Sequence, residues 1–264
     1  MVSWRPEDAA GDQEDVQFFL DLLASHRGRF YTRTMRLLPS EPRCYVCHAP
    51  FGGTGGKVMR RFGIEPSRKN PGLCNSCFEK APMGGSEMEI GVLFADVRGF
   101  TSLSETMAPD DVATLLNRFY AEASRVLTKH AIIDKLVGDE VMALYIPFIL
   151  GDGWADELMG DACDLLRAVG YGSDEGPWLP LGVGIDAGRA YVGNVGAGDV
   201  KDFTALGDVV NTAARLQGRA EGGQVVLSER VYERLGEKPD GTERVDLELK
   251  GKGRPESARV LTIR

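Results

Sequence analysis

The pattern of apolar and polar residues changes character near residue 85. Beyond it, short apolar runs typical of strands alternate with segments of helical periodicity. The runs predict strands at 89–97, 132–137, 141–146, 181–186 and 190–195, and near 224–228, 244–250 and 258–263. Helical spacing predicts helices over 110–129, 155–169 and 208–220, the last with Asp208 as N-cap. This alternation predicts an α+β fold in which helices cover a largely antiparallel sheet.

Two predicted hairpins join neighbouring strands. Gly138-Asp139 separates the second and third strands and is a two-residue turn signal. The runs 181–186 and 190–195 are close enough in sequence to predict a second hairpin.

The chain before residue 85 has a different pattern. Apolar residues recur at helical spacing within 14–36, and a stretch rich in cysteine, glycine and proline follows from residue 39. We therefore expect three parts: a helical segment over 1–38, a cysteine module over 39–84 and a larger domain over 85–264.

Composition narrows the class of protein. The chain has 264 residues, of which 43% are hydrophobic and 27% charged, so a sizeable core is expected. Its net charge of -8 disfavours nucleic acid as a partner. The longest apolar run, 141–150, contains Pro147 and is too short to span a bilayer, and the polar N-terminus does not resemble a secretory signal. We expect a soluble cytoplasmic protein with no membrane contact.

Candidate chemistry begins with two carboxylates. Asp96 ends the first predicted strand of the larger domain, and Asp139 lies in the hairpin turn. Carboxylates at adjacent strand ends can hold two divalent cations about 3.5–4 Å apart. After Asp96, the backbone N–H groups around Phe100 and Thr101 could cradle phosphate oxygens. Taken by itself, however, Asp139 is equally explained as an ordinary turn residue with no metal-binding role.

Further polar residues favour phosphoryl chemistry. Asn211 and Arg215 are four residues apart and share one helix face. An arginine there can neutralise charge on a transferring phosphoryl group, and an asparagine can position an attacking hydroxyl. Lys250 and Lys252 are candidate phosphate contacts, although a lysine-rich edge strand also explains them.

Several separated motifs in register resemble one family. Residues from about 88 to 264 resemble the catalytic domain of class III nucleotidyl cyclases, which implies a ferredoxin-like, palm-type sheet. The motifs are FADVRGFTSLSE (94–105), KLVGD (135–139), GVGIDAG (182–188), VGNVG (192–196) and FTALGDVVNTAARL (203–216).

The resemblance implies a role for each candidate residue. Asp96 and Asp139 would bind two Mg²⁺ or Mn²⁺ ions, and Asn211 and Arg215 would stabilise the transition state. Lys135 takes the place of the family's adenine-selecting lysine, where guanylyl cyclases carry Glu. Thr204 occupies the second base-selecting position, where most members have Asp and a subgroup similar to bicarbonate-responsive cyclases has Thr. A lysine and a hydroxyl can read the adenine edge. ATP is therefore the expected substrate, and bicarbonate a candidate regulator.

The resemblance also implies a head-to-tail homodimer. Metal-binding aspartates would come from one subunit, with Lys135, Thr204, Asn211 and Arg215 from the other. The implied activity is that of an adenylate cyclase, forming cyclic AMP and pyrophosphate. One alternative is a catalytically silent nucleotide or bicarbonate sensor. A second, diguanylate cyclase, rests on Gly138-Asp139-Glu140 and leaves the Asn211 and Arg215 motif unexplained.

The cysteine module predicts a second metal site. Cys44-x-x-Cys47 and Cys74-x-x-Cys77 are separated by 26 residues, a pattern that can supply four thiolates to Zn²⁺. An iron–sulfur cluster uses the same ligands and is the alternative. His48, beside Cys47, could replace one of them. The module is then either a structural staple or a redox or metal sensor that regulates the enzyme.

Overall fold

The computed structural model describes residues 34–68, 70–78, 84–197, 200–249, 253 and 255–264. Most of the predicted N-terminal helix lies outside these residues, as do Lys250 and Lys252. The chain divides into two compact units. The first comprises the described residues up to Met88 together with Tyr191–Ala205, and the second comprises Glu89–Ala190 and Leu206–Arg264.

A mixed sheet dominates the fold. Its eight described strands are β1 (Gly84–Val97), β2 (Ile132–Val137), β3 (Glu140–Tyr145), β4 (Leu181–Ala197), β5 (Val200–Leu206), β6 (Gln224–Ser228), β7 (Glu243–Leu247) and β8 (Glu256–Thr262). The order is β2-β3-β1-β4-β6-β8-β7, and β5 pairs with β4. The β1–β3, β2–β3, β6–β8 and β7–β8 ladders are antiparallel, whereas β4 and β6 are parallel. The predicted α+β class with a largely antiparallel sheet is confirmed.

Helices of the second unit pack against this sheet, and two further described helices belong to the first unit. The described ones are α1 (Gly53–Arg61), α2 (Asn75–Phe78), α3 (Phe100–Thr106), α4 (Pro109–Leu127), α5 (Pro147–Leu150), α6 (Trp154–Ala168), α7 (Asp208–Gln217) and α8 (Glu229–Arg234). In the second unit, α4 and α6 bury their apolar faces in one core with β1, β2 and β3. Trp154 and Leu158 of α6 lie directly over Gly91 of β1, where a Cβ would be only 2.7 Å from the indole. Among the described helices, none is both long and apolar enough to cross a bilayer.

The predicted hairpin between 181–186 and 190–195 is wrong. The structure has one continuous 17-residue strand, β4, through both segments. The Asp186-Ala-Gly stretch resembles a turn, but the Asp186 side chain is fully buried and accepts hydrogen bonds from the Ala187 N–H (2.8 Å) and Arg230 Nε (3.1 Å). Because these donors satisfy the carboxylate inside the fold, the backbone can remain extended. β4 pairs instead with β5, a strand that the apolar pattern did not predict.

The predicted N-cap of α7 is also wrong. Gly207 is the N-cap, without a side-chain hydrogen bond, and Asp208 is the first helical residue. There its carboxylate accepts a hydrogen bond from Thr212 Oγ1 at 3.4 Å. A negative charge in the first turn still favours the helix dipole, so Asp208 marks the helix start without capping it.

Candidate functional site

The turn between β2 and β3 places Asp139 beside Asp96. Gly138 adopts φ 60°, a left-handed conformation that glycine accepts without strain, and its carbonyl accepts a hydrogen bond from the Tyr120 hydroxyl. In the β1–β3 ladder Asp96 lies opposite Glu140, and the Val97 N–H donates to the Asp139 carbonyl at 3.3 Å. The two carboxylates predicted from the sequence therefore meet at one end of the sheet.

Their proximity changes the acidity of the site. Burial, a hydrogen bond with Asp139 and the charge of Asp139 together raise the pKa of Asp96 to about 6, although Arg98 and Gln217 oppose the shift. Burial and the charge of Asp139 also raise the pKa values of Glu140 and Tyr120. Negative charge is thus concentrated where two carboxylates face each other. Oxygen donors of this kind suit Mg²⁺ or Mn²⁺, so these residues fit the predicted ions.

Two polar partners of Asp96 were missed by the sequence reasoning. The Arg98 guanidinium forms an ion pair with the Asp96 carboxylate, and Gln217 Nε2 donates to Asp96 Oδ2 at 3.3 Å. The main chain of Arg98 is itself anchored, since its backbone N–H donates to the Pro180 carbonyl at 2.8 Å. The position of Arg98, two residues after Asp96, is the feature of the sequence that could have predicted this ion pair. Nothing in the local sequence indicates that Gln217, 121 residues away, reaches the same carboxylate.

Helix α7 divides its polar residues between two faces. It packs tightly on β4, where a Cβ at Gly184 would lie 2.1 Å from the Gln217 nitrogen. Its buried residues are Val209, Thr212, Ala213, Leu216 and Gln217. Residues two apart in an α-helix are separated by about 200°, and residues four apart by about 40°. Arg215 and Asn211 therefore share the face opposite Gln217, and the Asn211 side chain is exposed. Within one chain they point away from the face that contacts Asp96.

The segment after Asp96 is helical. Gly99, with φ 72°, is the N-cap of α3, so Phe100 and Thr101 occupy its first turn. N–H groups in a first turn have no partner within the helix. The Phe100 ring packs against the core, whereas Thr101 is exposed. The ring of Phe100 is partly buried, and its backbone N–H is the group that can donate to a phosphate oxygen.

The remaining predicted residues lie elsewhere. Lys135 is a half-buried residue of β2, directly after a register irregularity in the β2–β3 ladder. Thr204 lies in β5, in the first unit, and its side chain is buried there.

The four cysteines of the module converge on one point. The sulfur atoms of Cys44, Cys47, Cys74 and Cys77 all lie within 4.8 Å of one another, and all four residues are buried. Cys47 Sγ and Cys74 Sγ are 3.7 Å apart, and the structure contains no disulfide among the described cysteines. Contacts among the thiols lower the pKa values of Cys44 and Cys74 and raise those of Cys47 and Cys77. Four converging sulfur donors fit a tetrahedral thiophilic cation.

Backbone contacts support this arrangement. The Cys74 N–H points at Cys44 Sγ (3.3 Å) and the Cys77 N–H at Cys74 Sγ (3.3 Å), contacts that favour negative charge on sulfur. His48 does not belong to the cluster. Its Nε2 lies 3.0 Å from Arg36 Nη2, and burial together with Arg36 and Arg43 lowers its pKa to about 4.

Comparison with known proteins identifies what this site resembles. The profile of the adenylate and guanylate cyclase catalytic domain matches residues 85–261. An adenylate cyclase of Anabaena cylindrica is 30% identical over 205 residues, which cover 70% of this chain and 40% of that protein. The chain therefore spans less than half the length of this relative.

Solved structures show the same fold. The guanylyl cyclase Cya2 superimposes with a TM-score of 0.59 and 29% identity, covering 69% of this chain and 96% of that one. The adenylyl cyclase CyaB from P. aeruginosa gives a TM-score of 0.58 and 30% identity, covering 69% and 98%. Relatives of both nucleotide classes are thus equally similar in overall structure.

Proposed function

Because this chain belongs to the adenylate and guanylate cyclase catalytic domain family, we propose that it converts ATP to 3′,5′-cyclic AMP and pyrophosphate in a site shared by two copies. The ribose 3′-oxygen would attack the α-phosphorus and lose its proton. The bond between the α-phosphorus and the bridging oxygen would break, and pyrophosphate would leave. The observation that carries the proposal is the facing pair Asp96 and Asp139, whose mutual repulsion a cation relieves.

The aspartates provide the metal-binding half of the proposed site. Asp96 and Asp139 would hold two Mg²⁺ or Mn²⁺ ions, which supply charge neutralisation at the phosphates and activation of the attacking hydroxyl. Arg98 and Gln217 orient the Asp96 carboxylate through their contacts with it. The first turn of α3, with Phe100 and Thr101, offers N–H groups to phosphate oxygens. Lys250 and Lys252 remain predicted phosphate contacts.

The second half of the site would come from a second copy of the chain. Asn211 and Arg215 lie on the face of α7 opposite Gln217, so one chain does not present them to its own Asp96. Apolar side chains are exposed near these elements: Leu136 and Val137 precede the Asp139 turn, and Leu206 precedes α7. Exposed apolar residues beside an incomplete polar site favour a subunit interface.

Base selection is proposed to favour ATP. Lys135 can donate to the acceptor nitrogens of adenine, and Thr204 offers a hydroxyl that can donate or accept. The Anabaena adenylate cyclase and CyaB support this substrate, while Cya2 supports the related guanylyl activity. Overall identity does not separate the two classes, so the proposal rests on these two side chains.

The cysteine cluster is proposed to hold Zn²⁺. Its four sulfurs match the ligands of structural zinc, and a module of this size gains stability from a metal. An iron–sulfur cluster would use the same sulfurs and would show visible absorption, which zinc does not.

A direct assay tests the proposed function. Purified full-length protein is incubated with ATP or GTP and Mg²⁺ or Mn²⁺, with and without bicarbonate, and both products are quantified by chromatography. We expect cyclic AMP and pyrophosphate in equal amounts, no turnover by Asp96→Ala, and wild-type turnover by the exposed control Asp152→Ala. Preference for GTP would overturn the base assignment alone. No cyclic nucleotide from either substrate would overturn the enzymatic proposal.

A further inference from the structure

A ring contact joins the cysteine cluster to the strand that carries Thr204. Phe78 directly follows Cys77, and Phe203 directly precedes Thr204. The two rings lie 5.5 Å apart between centroids at an interplanar angle of 56°, within the first unit. Phe78 is 8% exposed and Phe203 4% exposed, so the contact is buried. Aromatic pairs with this geometry contribute energy beyond their buried area. We therefore expect a displacement of Phe78 to displace Phe203 as well.

The cysteines, together with Asn75, whose side chain donates to the Gly63 carbonyl at 3.0 Å, hold Phe78 in place. Helix α2 has only four residues, too few to be stable by itself, and its position depends on how its ends are held. Cys74 precedes it and Cys77 lies within it, and the Phe78 N–H donates to the Cys74 carbonyl at 3.0 Å. A cation bound by both sulfurs would fix this turn and with it the Phe78 ring. Without the cation, the four thiols are held by weaker contacts, such as those of the Cys74 N–H with Cys44 Sγ and of Cys47 Sγ with Cys74 Sγ.

Strand β5 is placed so that it can shift when Phe78 shifts. In the described part of the sheet it lies off the main strand order and pairs with β4 alone. Successive side chains of a strand face opposite sides, so Phe203 and Thr204 project in opposite directions from one rigid segment. A shift of β5 toward or away from Phe78 therefore moves the Thr204 hydroxyl by a similar amount.

We propose that the cluster of Cys44, Cys47, Cys74 and Cys77 is a regulatory site for a thiophilic divalent cation such as Zn²⁺. Its occupancy controls selection of the nucleotide base through the contact between Phe78 and Phe203. With the cation bound, Phe78 holds β5 so that Thr204 reads adenine; without it, β5 relaxes and discrimination falls. This inference rests on the proposed role of Thr204 as a base-selecting residue.

The test measures base preference and metal content in the same protein samples. Full-length wild type, Phe78→Ala and Phe62→Ala are purified, their metal is quantified by elemental analysis, and kcat/KM is measured for ATP and GTP. Phe62 is a matched control because it is a phenylalanine of the same unit but is 72% exposed. We expect Phe78→Ala to keep its zinc and lose about fivefold or more of the ATP-to-GTP ratio, a typical coupling between linked sites. Phe62→Ala should match wild type in both measurements.

Cysteine variants complete the thermodynamic cycle. Cys74→Ser with Cys77→Ser should release the metal and lower the ratio as Phe78→Ala does. Adding Phe78→Ala to them should change the ratio no further, because the coupling is already broken. If Phe78→Ala does not fold, Phe78→Leu keeps most of the volume and should still lower the ratio.

Each contrary outcome points to a different error. An unchanged ratio in Phe78→Ala, with a changed ratio in Thr204→Ala, would overturn the coupling while leaving the cyclase proposal intact. An unchanged ratio in Thr204→Ala would overturn the role of Thr204 itself. Wild-type protein without bound metal after anaerobic purification would overturn the metal site. Absence of cyclic nucleotide from every sample would overturn the proposed function instead.

Discussion

At the residue scale, Asp96 shows how a site can oppose the stability of its own fold. Its carboxylate lies beside Asp139, and both cannot be charged without repulsion. Arg98 and Gln217 reduce this cost without removing it, since the pKa remains raised to about 6. A residue held in this way is expected to be better for ligand binding than for folding.

Replacement of Asp96 by Asn should therefore stabilise the protein in the absence of Mg²⁺. The folded pKa of about 6 lies above the ordinary value of 3.8, so the folded state binds more protons between these pH values. The contribution of Asp96 to stability is thus present below about pH 4 and lost as pH rises through 6. At pH 7.5 we expect Asp96→Asn to raise the free energy of unfolding by about 1–2 kcal/mol.

Urea unfolding at pH 4 and pH 7.5 checks this expectation. The variant should match wild type at pH 4, and Mg²⁺ should raise the Tm of wild type but not of Asp96→Asn. Asp152→Asn, at an exposed position, serves as the control. A destabilised variant at pH 7.5 would mean that the carboxylate is needed for the fold and not for a cation.

Lys135→Glu should reverse the preference for the nucleotide base. A carboxylate accepts hydrogen bonds from the guanine edge and cannot donate to adenine, so the ATP-to-GTP ratio of kcat/KM should fall by about tenfold or more. In Lys135→Gln, whose side chain can still donate a hydrogen bond, the ATP-to-GTP ratio should fall less. Equal ratios in wild type and both variants would show that Lys135 does not contact the base.

At the element scale, strands and long helices were largely predictable from the sequence. The β2–β3 hairpin, α4 and α6 follow from alternating or helical apolar spacing, and their bounds differ from the prediction by no more than two residues. β4 and β5 could not be predicted in the same way. β4 is rich in glycine, and its continuity depends on Asp186 meeting Arg230 from another element. The contact of Gln217 with Asp96 was unpredictable for the same reason, since tertiary packing alone creates it.

The ion pair of Asp186 and Arg230 should be essential for this part of the sheet. Arg230→Ala would leave a fully buried carboxylate without its charged partner, and because the Arg230 side chain is itself 39% exposed we expect a loss of about 2–3 kcal/mol in unfolding free energy. Arg234→Ala is the matched control from the same helix. Its ion pair with Glu89 is about one-third exposed at both ends, and its loss should cost less than about 1 kcal/mol. Urea denaturation of both variants measures the difference; equal costs would contradict the structural role of the partner of the buried Asp186 carboxylate.

At the scale of the whole molecule, the proposed shared site makes a prediction about mixtures. Asp96→Ala and Asn211→Ala should each be inactive, because every site in either homodimer lacks one half. When the two are mixed in equal amounts and allowed to exchange subunits, half of the dimers are mixed and each contains one intact site. We expect about a quarter of wild-type turnover.

The control uses two variants that damage the same half. A mixture of Asp96→Ala with Asp139→Ala should remain inactive, since no exchange can restore a metal-binding pair. Turnover measured before and after exchange, with dimer formation followed by light scattering, decides the question. An inactive mixture of Asp96→Ala and Asn211→Ala that still forms dimers would place both halves in one chain.

The first unit is built from two distant stretches of the chain, and this has a consequence for protein engineering and evolution. Residues up to Met88 and the segment Tyr191–Ala205 are compact together although they are distant in sequence. A shortened chain that begins at residue 85 would keep Phe203 but delete the ring that covers it. Grafting the cysteine module onto another cyclase would likewise transfer the cluster without Phe203, the residue that contacts Phe78. A functional transfer would need both the cysteine module and the segment Tyr191–Ala205. We expect the residues at positions 78 and 203 to change together in evolution.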